Sequence, residues 1–264
     1  DSVARGLKER FDGIDRVGLL GMEMADKKTL NKILDYLLKS GCSLSFSSLR
    51  ADRIDDDLLG ILENSNLKSV AIAPDGASER LRLAINKGLK ETDILSAAEK
   101  LVQIGISKLK IYLMVGLPSE KDKDLEEVIN LVRKIKAVID PIGKKRGRLT
   151  EIILSVNCFI PKPWTPFQFH PFGGGDKKEP GSHGNLKDAV YSLNRKMAYL
   201  KKEISAFNNV VMHNDKPEKA LQQAVFAMGD RRLGKVLVDM AVNRMKLKQA
   251  MKKQGVEPDF YTMY

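Results

Sequence analysis

The sequence predicts a parallel α/β protein, on three observations. Apolar runs of strand length recur, each followed by a helix with one apolar face. The runs are nearly unbroken, as in strands buried on both faces of a parallel sheet. The phrases Ala73-Pro74-Asp75-Gly76-Ala77-Ser78-Glu79-Arg80-Leu81-Arg82 and Met114-Val115-Gly116-Leu117-Pro118-Ser119-Glu120 each sit where such a strand gives way to a helix. In parallel α/β proteins that junction is where ligand sites are built.

The elements follow in order. Residues 16–21 form a first apolar run, then Asp26 reads as the N-cap of a helix with Leu30, Ile33, Leu34, Leu37 and Leu38 on one face. Gly41 supplies the stop, and Ser43 to Arg50 reads as the second strand. A helix bearing Leu58, Leu59, Ile61 and Leu62 leads to a third strand over 69–73. After Ser78 one helix ends at Gly88 and another, carrying Ile94, Leu95, Ala98, Leu101 and Val102, ends at Gly105. Lys108 to Val115 is the fourth strand; Ser119 with Asp122 reads as a capping box for a long helix through Ile129, Val132 and Ile135. The fifth strand covers 151–157, and three prolines between Pro161 and Pro166 end the ladder. A glycine-rich loop spans 173–185, followed by helical stretches near 186–206, 217–228 and 231–252. The chain thus divides into an α/β part at 1–172, the loop, and a basic helical extension at 186–264. Five βα steps are too few for a closed eight-stranded barrel, which leaves a partial barrel or an open doubly wound sheet.

Composition excludes several classes. With 264 residues, 43% hydrophobic and 30% charged, the chain can bury a sizeable core and is not disordered. No apolar run approaches the roughly 18 residues of a membrane span, and no signal-peptide pattern opens the sequence, so no membrane and a cytoplasmic location are expected. Cys42 and Cys158 are isolated, and His170, His183 and His213 lack metal-ligand spacing. The net charge is +11, and residues 185–264 carry 15 Lys and Arg against 8 Asp and Glu. Such an excess suits an anionic partner such as RNA, or simply solubility.

The strand-end residues admit two readings each. Gly116 at a strand end lets a flat ring approach the backbone, with Pro118 fixing the exit, or the segment is a plain capped turn. At Ser78, Glu79, Arg80 and Arg82, a carboxylate can accept from ribose hydroxyls and an arginine fork can grip a carboxylate. Alternatively, Ser78 caps a helix whose dipole meets Glu79. Gly21-Met22-Glu23-Met24 follows the first strand, where Glu23 can meet an ammonium group, and Arg50 ends the second. Lys144-Lys145-Arg146-Gly147-Arg148 falls between helix and strand, on the face opposite the expected site. Trp164 and Phe167 either line a substrate mouth or cover the end of the sheet, the second being expected. Cys158 reads as a small buried apolar residue.

Taken together, these segments resemble the cofactor-binding segments of the radical S-adenosylmethionine superfamily. Gly21-Met22-Glu23-Met24 is similar to the segment that holds the methionine amino group, through Gly21 and Glu23. Ser78, Glu79, Arg80 and Arg82, with Arg50 on the same rim, lie where ribose and carboxylate contacts are expected. Val115, Gly116, Leu117 and Pro118 look like the adenine-side segment, and Asn157 to Ile160, including Phe159, like the last strand that lends backbone to adenine. Ser48-Leu49-Arg50, Pro161-Lys162-Pro163-Trp164-Thr165-Pro166-Phe167-Gln168 and Ala227-Met228-Gly229-Asp230-Arg231-Arg232 look like a branch with an upstream cobalamin-binding-like domain, related to methylthiotransferases.

The resemblance implies a partial (β/α) barrel missing its first βα unit, with a C-terminal helical extension. It also implies S-adenosylmethionine and a 4Fe-4S cluster as cofactors, with cobalamin through an upstream domain. The cluster's CxxxCxxC ligands are absent here, so the chain is expected to start after the first βα unit and to be inactive alone. In the intact protein, a reduced cluster fed by an electron donor would cleave the cofactor to a 5′-deoxyadenosyl radical that modifies a substrate, with methylthiolation or methylation of RNA or a ribosomal protein as candidates. The competing readings are a catalytically silent module for a nucleotide-like ligand and an RNA-binding accessory domain.

Overall fold

The computed structural model describes residues 6, 16–20, 27–65, 67–174 and 186–262. Six strands, β1 (Arg16–Leu19), β2 (Ser43–Phe46), β3 (Ser69–Asp75), β4 (Lys108–Val115), β5 (Glu151–Cys158) and β6 (Val210–Asn214), each run parallel to their neighbours. β1 and β2 form one sheet, β3 to β6 another, and a bridge from Leu49 to Ile72 links the two. Strand order therefore increases without reversal. A doubly wound sheet reverses at a switch point; this arc does not, and it is a partial β/α barrel.

The helices are α1 (Lys27–Lys39), α2 (Asp56–Asn64), α3 (Glu79–Ala84), α4 (Glu91–Gln103), α5 (Asp122–Lys145), α6 (Leu186–Ile204), α7 (Pro217–Met228), α8 (Leu233–Val242), α9 (Leu247–Lys253) and α10 (Asp259–Thr262). Local chemistry sets their ends. Asp55 caps α2 by accepting from Leu58 N at 3.0 Å, and Ser78 caps α3 by accepting from Leu81 N at 3.2 Å. For α5 the expected Ser119–Asp122 box is displaced. Lys121 is the N-cap, and its N–H donates to Asp124 Oδ2 at 2.7 Å, while Ser119 stands outside the helix at φ 61°. Asp26 lies outside the described residues.

Strand burial differs from the expectation of two dry faces. In β4, Leu109, Ile111, Leu113 and Val115 are buried, whereas Lys110, Tyr112 and Met114 are half-buried; β5 alternates in the same way. The buried row joins Ile94, Ala98, Leu101, Val128, Val132 and Ile135 of α4 and α5 in one core. The other row lines the inner face, which an open arc leaves accessible. Two parallel helix-backed layers would bury both rows; half a barrel buries one. A smaller cluster of Leu34, Leu37, Cys42, Leu44 and Ile61 holds β1 and β2 against α1 and α2.

The third strand is longer than expected and irregular. Its pairing with β4 slips between Ile72 and Asp75, the stretch containing Pro74, which cannot donate to a ladder. The proline run after β5 ends that strand but not the sheet. β6 pairs with β5 from Ile152↔Val210 to Val156↔Asn214, so α6 is a crossover helix of the arc rather than part of an appendage. Five residues with an exposed edge were too short and too polar to stand out in the pattern. The stretch over 231–252 splits into α8 and α9 at Arg244, whose φ is 52°, and Asn243 and Met245 both donate their N–H to Asp239 O. Around Val225, Leu233, Val236, Met251 and Tyr261 the C-terminal helices keep their own small core.

Candidate functional site

All strands being parallel, their carboxyl ends open on one face, where the two strand-end phrases meet. Ser78 Oγ donates to Asp124 Oδ1 at 2.5 Å, Arg80 ion-pairs with Asp124 Oδ2, and Arg80 Nη2 donates to Ser119 O at 2.8 Å. The segment after β3 is thus stitched to the segment after β4. Asp124, 5% exposed, is the joint, and reading the sequence missed it. Its signal was present: it is the third residue of a helix whose N-cap was assigned elsewhere. Burial pushes the Asp124 carboxyl up, but bonds from Ser78, Lys121 N–H and Arg80 outweigh this and hold it below the usual range.

Arg82 does not face the rim. Its side chain is 1% exposed and donates to Leu89 O at 2.6 Å, Ala77 O at 2.5 Å and Gly76 O at 3.1 Å. Holding the turn together from inside, it cannot reach a ligand carboxylate without unfolding α3. Its neighbour Glu79 is 57% exposed and accepts from Glu91 N at 2.8 Å, tying α3 to the start of α4. Arg50 is forked onto Asp52 at 3.0 and 2.9 Å and reaches Lys87 O at 3.1 Å, while Lys87 pairs with Asp75 at 2.7 Å. The Arg50 fork holds the Asp52 carboxyl below its ordinary range. Gly21 and Glu23 lie outside the described residues.

In the segment expected on the adenine side, Met114 and Val115 stand in register with Asn157 and Cys158, and Phe159 N–H donates to Val115 O at 2.8 Å. Leu117 and Phe159 are buried with Leu81, against Met114, Ile85 and Phe167, in a small apolar cluster at the strand ends. Pro118 is buried and Asn157 half-buried. Gly116, at φ 77°, has a reason other than an approaching ring. A Cβ there would lie 2.8 Å from Leu193 Cδ2 and 3.4 Å from Gly173. Gly174 packs closer still, with a Cβ position 2.6 Å from the Gly116 carbonyl. Glu120, whose side chain is 1% exposed, secures the turn by accepting from Gly116 N at 3.0 Å and from Lys196 Nζ at 2.5 Å.

Trp164 also departs from expectation. Phe167 packs edge-on against Phe159 at 5.8 Å, but Trp164 is 95% exposed and covers nothing. On the inner face, register aligns Tyr112 with Ser155 and Ser155 with His213, a polar row that no linear spacing reveals. Arg146 donates to Val102 O at 2.7 Å and lies at the amino ends of the strands, away from the rim.

The whole chain holds two cysteines, fewer than the three thiolates of a site-differentiated iron-sulfur cluster. Both are buried, and burial pushes the Cys158 thiol up to about 12. Among the described residues no group of three or more His, Cys, Asp or Glu is placed to hold a metal ion. The residues present do not fit a 4Fe-4S cluster. No described helix is long and apolar enough to cross a membrane.

The arc and its rim define a parallel β/α protein whose strand ends open on one face. The radical SAM superfamily model matches residues 1–132, half of the chain. The uncharacterized protein MJ0966 of Methanocaldococcus jannaschii is 35% identical over 244 residues, covering 92% of this chain and 48% of its own length. The ribosomal protein uS12 methylthiotransferase RimO of Petrotoga mobilis is 25% identical over 138 residues, 51% of this chain and 32% of that one. Two solved structures share the fold. Coproporphyrinogen III oxidase (HemN) of Escherichia coli, a radical SAM enzyme, has a TM-score of 0.51 at 14% identity, covering 77% of this chain and 45% of that one. SuiB of Streptococcus suis has 0.50 at 16%, covering 84% and 45%. The chain belongs to the radical SAM superfamily. It spans about half the length of the first of these relatives and a third of the second. None of these comparisons points to cobalamin.

Proposed function

We propose that this chain is the cofactor-binding part of a radical S-adenosylmethionine enzyme core, with S-adenosylmethionine across the carboxyl ends of β3, β4 and β5. The observation that carries the reading is the shared ladder end, where Val115 pairs with Cys158 and Phe159 N–H reaches Val115 O. That pairing makes neighbours of two residues 43 positions apart, one in each of the segments the resemblance singles out. Met114, backed by the buried Leu117 and Phe159, supplies apolar surface beneath a flat ring. Glu79 and the half-exposed Arg80 offer an acceptor for ribose hydroxyls and a fork for a carboxylate. Asp124 and Ser119 orient that fork. Arg82 is excluded from the contact set and serves as internal support. Gly21 and Glu23 keep their role toward the methionine amino group as part of the proposal, and Arg50 frames the rim.

A cluster would be held by residues other than those of this chain; when bound, it and the sulfonium cofactor would supply one-electron C–S cleavage and hydrogen abstraction from a substrate. The inner-face row of Tyr112, Ser155 and His213 lines the approach for that substrate. Methylthiolation or methylation is the candidate outcome, supported by the similarity to a methylthiotransferase. A second reading, a ligand-binding module without radical chemistry, is favoured by the cysteine count alone.

Two measurements test this. In calorimetry the chain is expected to bind S-adenosylmethionine competitively with 5′-deoxyadenosine, and Arg80→Gln is expected to weaken it about tenfold, the size of one lost charge-assisted bond. A folded chain whose S-adenosylmethionine binding ignores 5′-deoxyadenosine refutes the placement. Anaerobic reconstitution of a chain extended upstream of Asp1, measuring iron, sulfide and 5′-deoxyadenosine, separates the two readings.

A further inference from the structure

We infer that the surface from Trp164 to α7 is a docking site for single-stranded RNA, which deepens the reading above by naming the substrate class presented to that rim. Trp164 is the one tryptophan of the chain, and it stands 95% exposed on the strand-end face. It is the most exposed of the described large hydrophobic side chains, and it is held at φ 63°, where bulky residues seldom sit. The turn that presents it is well fastened. Trp164 N–H donates to Gln168 Oε1 at 3.2 Å, Thr165 Oγ1 donates to Lys162 O at 2.8 Å, and Gln168 N–H donates to Thr165 O at 3.1 Å. The backbone that carries the ring is therefore fixed, so little main-chain freedom is left to lose on stacking.

Beside it, Lys162, Lys219, Gln222, Gln223 and Phe226 line a hollow of about 590 Å³ that contains no carboxylate. Neither Lys162 nor Lys219 has an ion-pair partner among the described residues. Four residues beyond Ala227, Arg231 opens a second hollow of about 580 Å³, shared with Lys235, Gln254 and Phe260. Glu257 is the acid on its lining. There Arg232 is taken up by Asp230 at 2.7 Å and lies over the Phe260 ring at 5.1 Å, while Arg231 and Lys235 have no ion-pair partner among the described residues. Unneutralised cations interleaved with exposed rings, and amides between them, match a strand of phosphates and bases. An acidic peptide would use the cations but not the ring. The local charge agrees with the chain's excess of +11.

The test uses the chain as it is, without S-adenosylmethionine, and a fluorescein-labelled 12-nucleotide single-stranded RNA. Anisotropy is expected to show binding whose log affinity falls with log salt at a slope of about −3, from four phosphate contacts at roughly 0.7 each. Unlabelled RNA is expected to quench Trp164 emission. Trp164→Ala should weaken binding about tenfold, as loss of one stacked base does. Lys162→Glu with Lys219→Glu should reduce the slope by about 1.4. All these residues are exposed, so circular dichroism is expected to be unchanged. Equal affinity for a 12-residue polyglutamate assigns the surface to an acidic protein and overturns the proposal. So does absence of RNA binding at about 50 mM salt, or binding with neither quenching nor any effect of Trp164→Ala. Since cofactor is left out, failure here leaves the adenosyl site standing, and failure there leaves this one.

Discussion

Replacing Arg82 separates a structural guanidinium from a ligand-gripping one. In the folded chain it donates to three main-chain carbonyls at 2.6, 2.5 and 3.1 Å, with 1% of the side chain exposed and Nη2 3.8 Å from Glu79 Oε1. Burial lowers its affinity for the proton, with Glu79 opposing, yet a guanidinium stays charged. Arg82→Met keeps most of the volume and removes every donor. Each bond from a charged donor contributes about 1.5–3 kcal/mol net. Relief of the desolvation cost of the buried cation, several kcal/mol, returns part of the sum. A net loss of about 4 kcal/mol follows, and at about 2–4 °C per kcal/mol for a chain of this size the melting temperature drops by about 8–16 °C. Thermal and urea unfolding followed by circular dichroism measure it. A variant that melts within about 2 °C of the parent and instead loses S-adenosylmethionine affinity would refute the assignment of Arg82 as internal support.

Gly174→Ala places a Cβ 2.6 Å from the Gly116 carbonyl and should cost about 2–4 kcal/mol, whereas Gly147→Ala, also at positive φ but with nothing within 4 Å, should cost only the left-handed penalty of about 1–2 kcal/mol. Comparing their melting temperatures isolates the contact, and equal losses would mean that the 116–174 approach is not tight. Lys253, Gln254 and Asn243 hold the Asp239 carboxyl down to about 2. Its contribution is present above the unfolded value of about 3.9 and disappears as pH falls toward 2, so Asp239→Asn should flatten the urea-midpoint curve between about pH 4 and 2. For Cys158, raised to about 12 by burial, the sign is opposite: its contribution is full below about 8.5 and fades as pH climbs toward 12. At pH 8 the native chain should accordingly give no reaction with Ellman's reagent, and the urea-unfolded chain two thiols per molecule; a native titre of one or more would contradict the burial of Cys42 and Cys158.

Much of the arc was legible because local and global preferences agree along it. Lys108–Val115 is a strand in both descriptions, since eight residues with four buried apolar side chains between turn signals leave little choice. Where several interactions compete for one residue, the linear pattern misled. Ser119 looked like a cap, but a donor from Arg80 and a left-handed backbone place it outside α5. β6 was invisible because an edge strand needs only one pairing partner and little apolar content.

By itself, the sequence determined the order of strands and helices, the parallel class and the family, because periodicity, caps and strand-end phrases are local properties written within a dozen residues. Only the tertiary structure decided which members of those phrases face outward. Arg80 and Arg82 are two residues apart, and on a short helix that offset turns one guanidinium to the rim and the other to the interior. Similarly, Phe167 and Trp164 share one proline-rich turn, yet one packs on Phe159 and the other stands in water. Burial is set by what arrives from elsewhere in the chain, here Asp124 and Phe159, and no local pattern records that arrival.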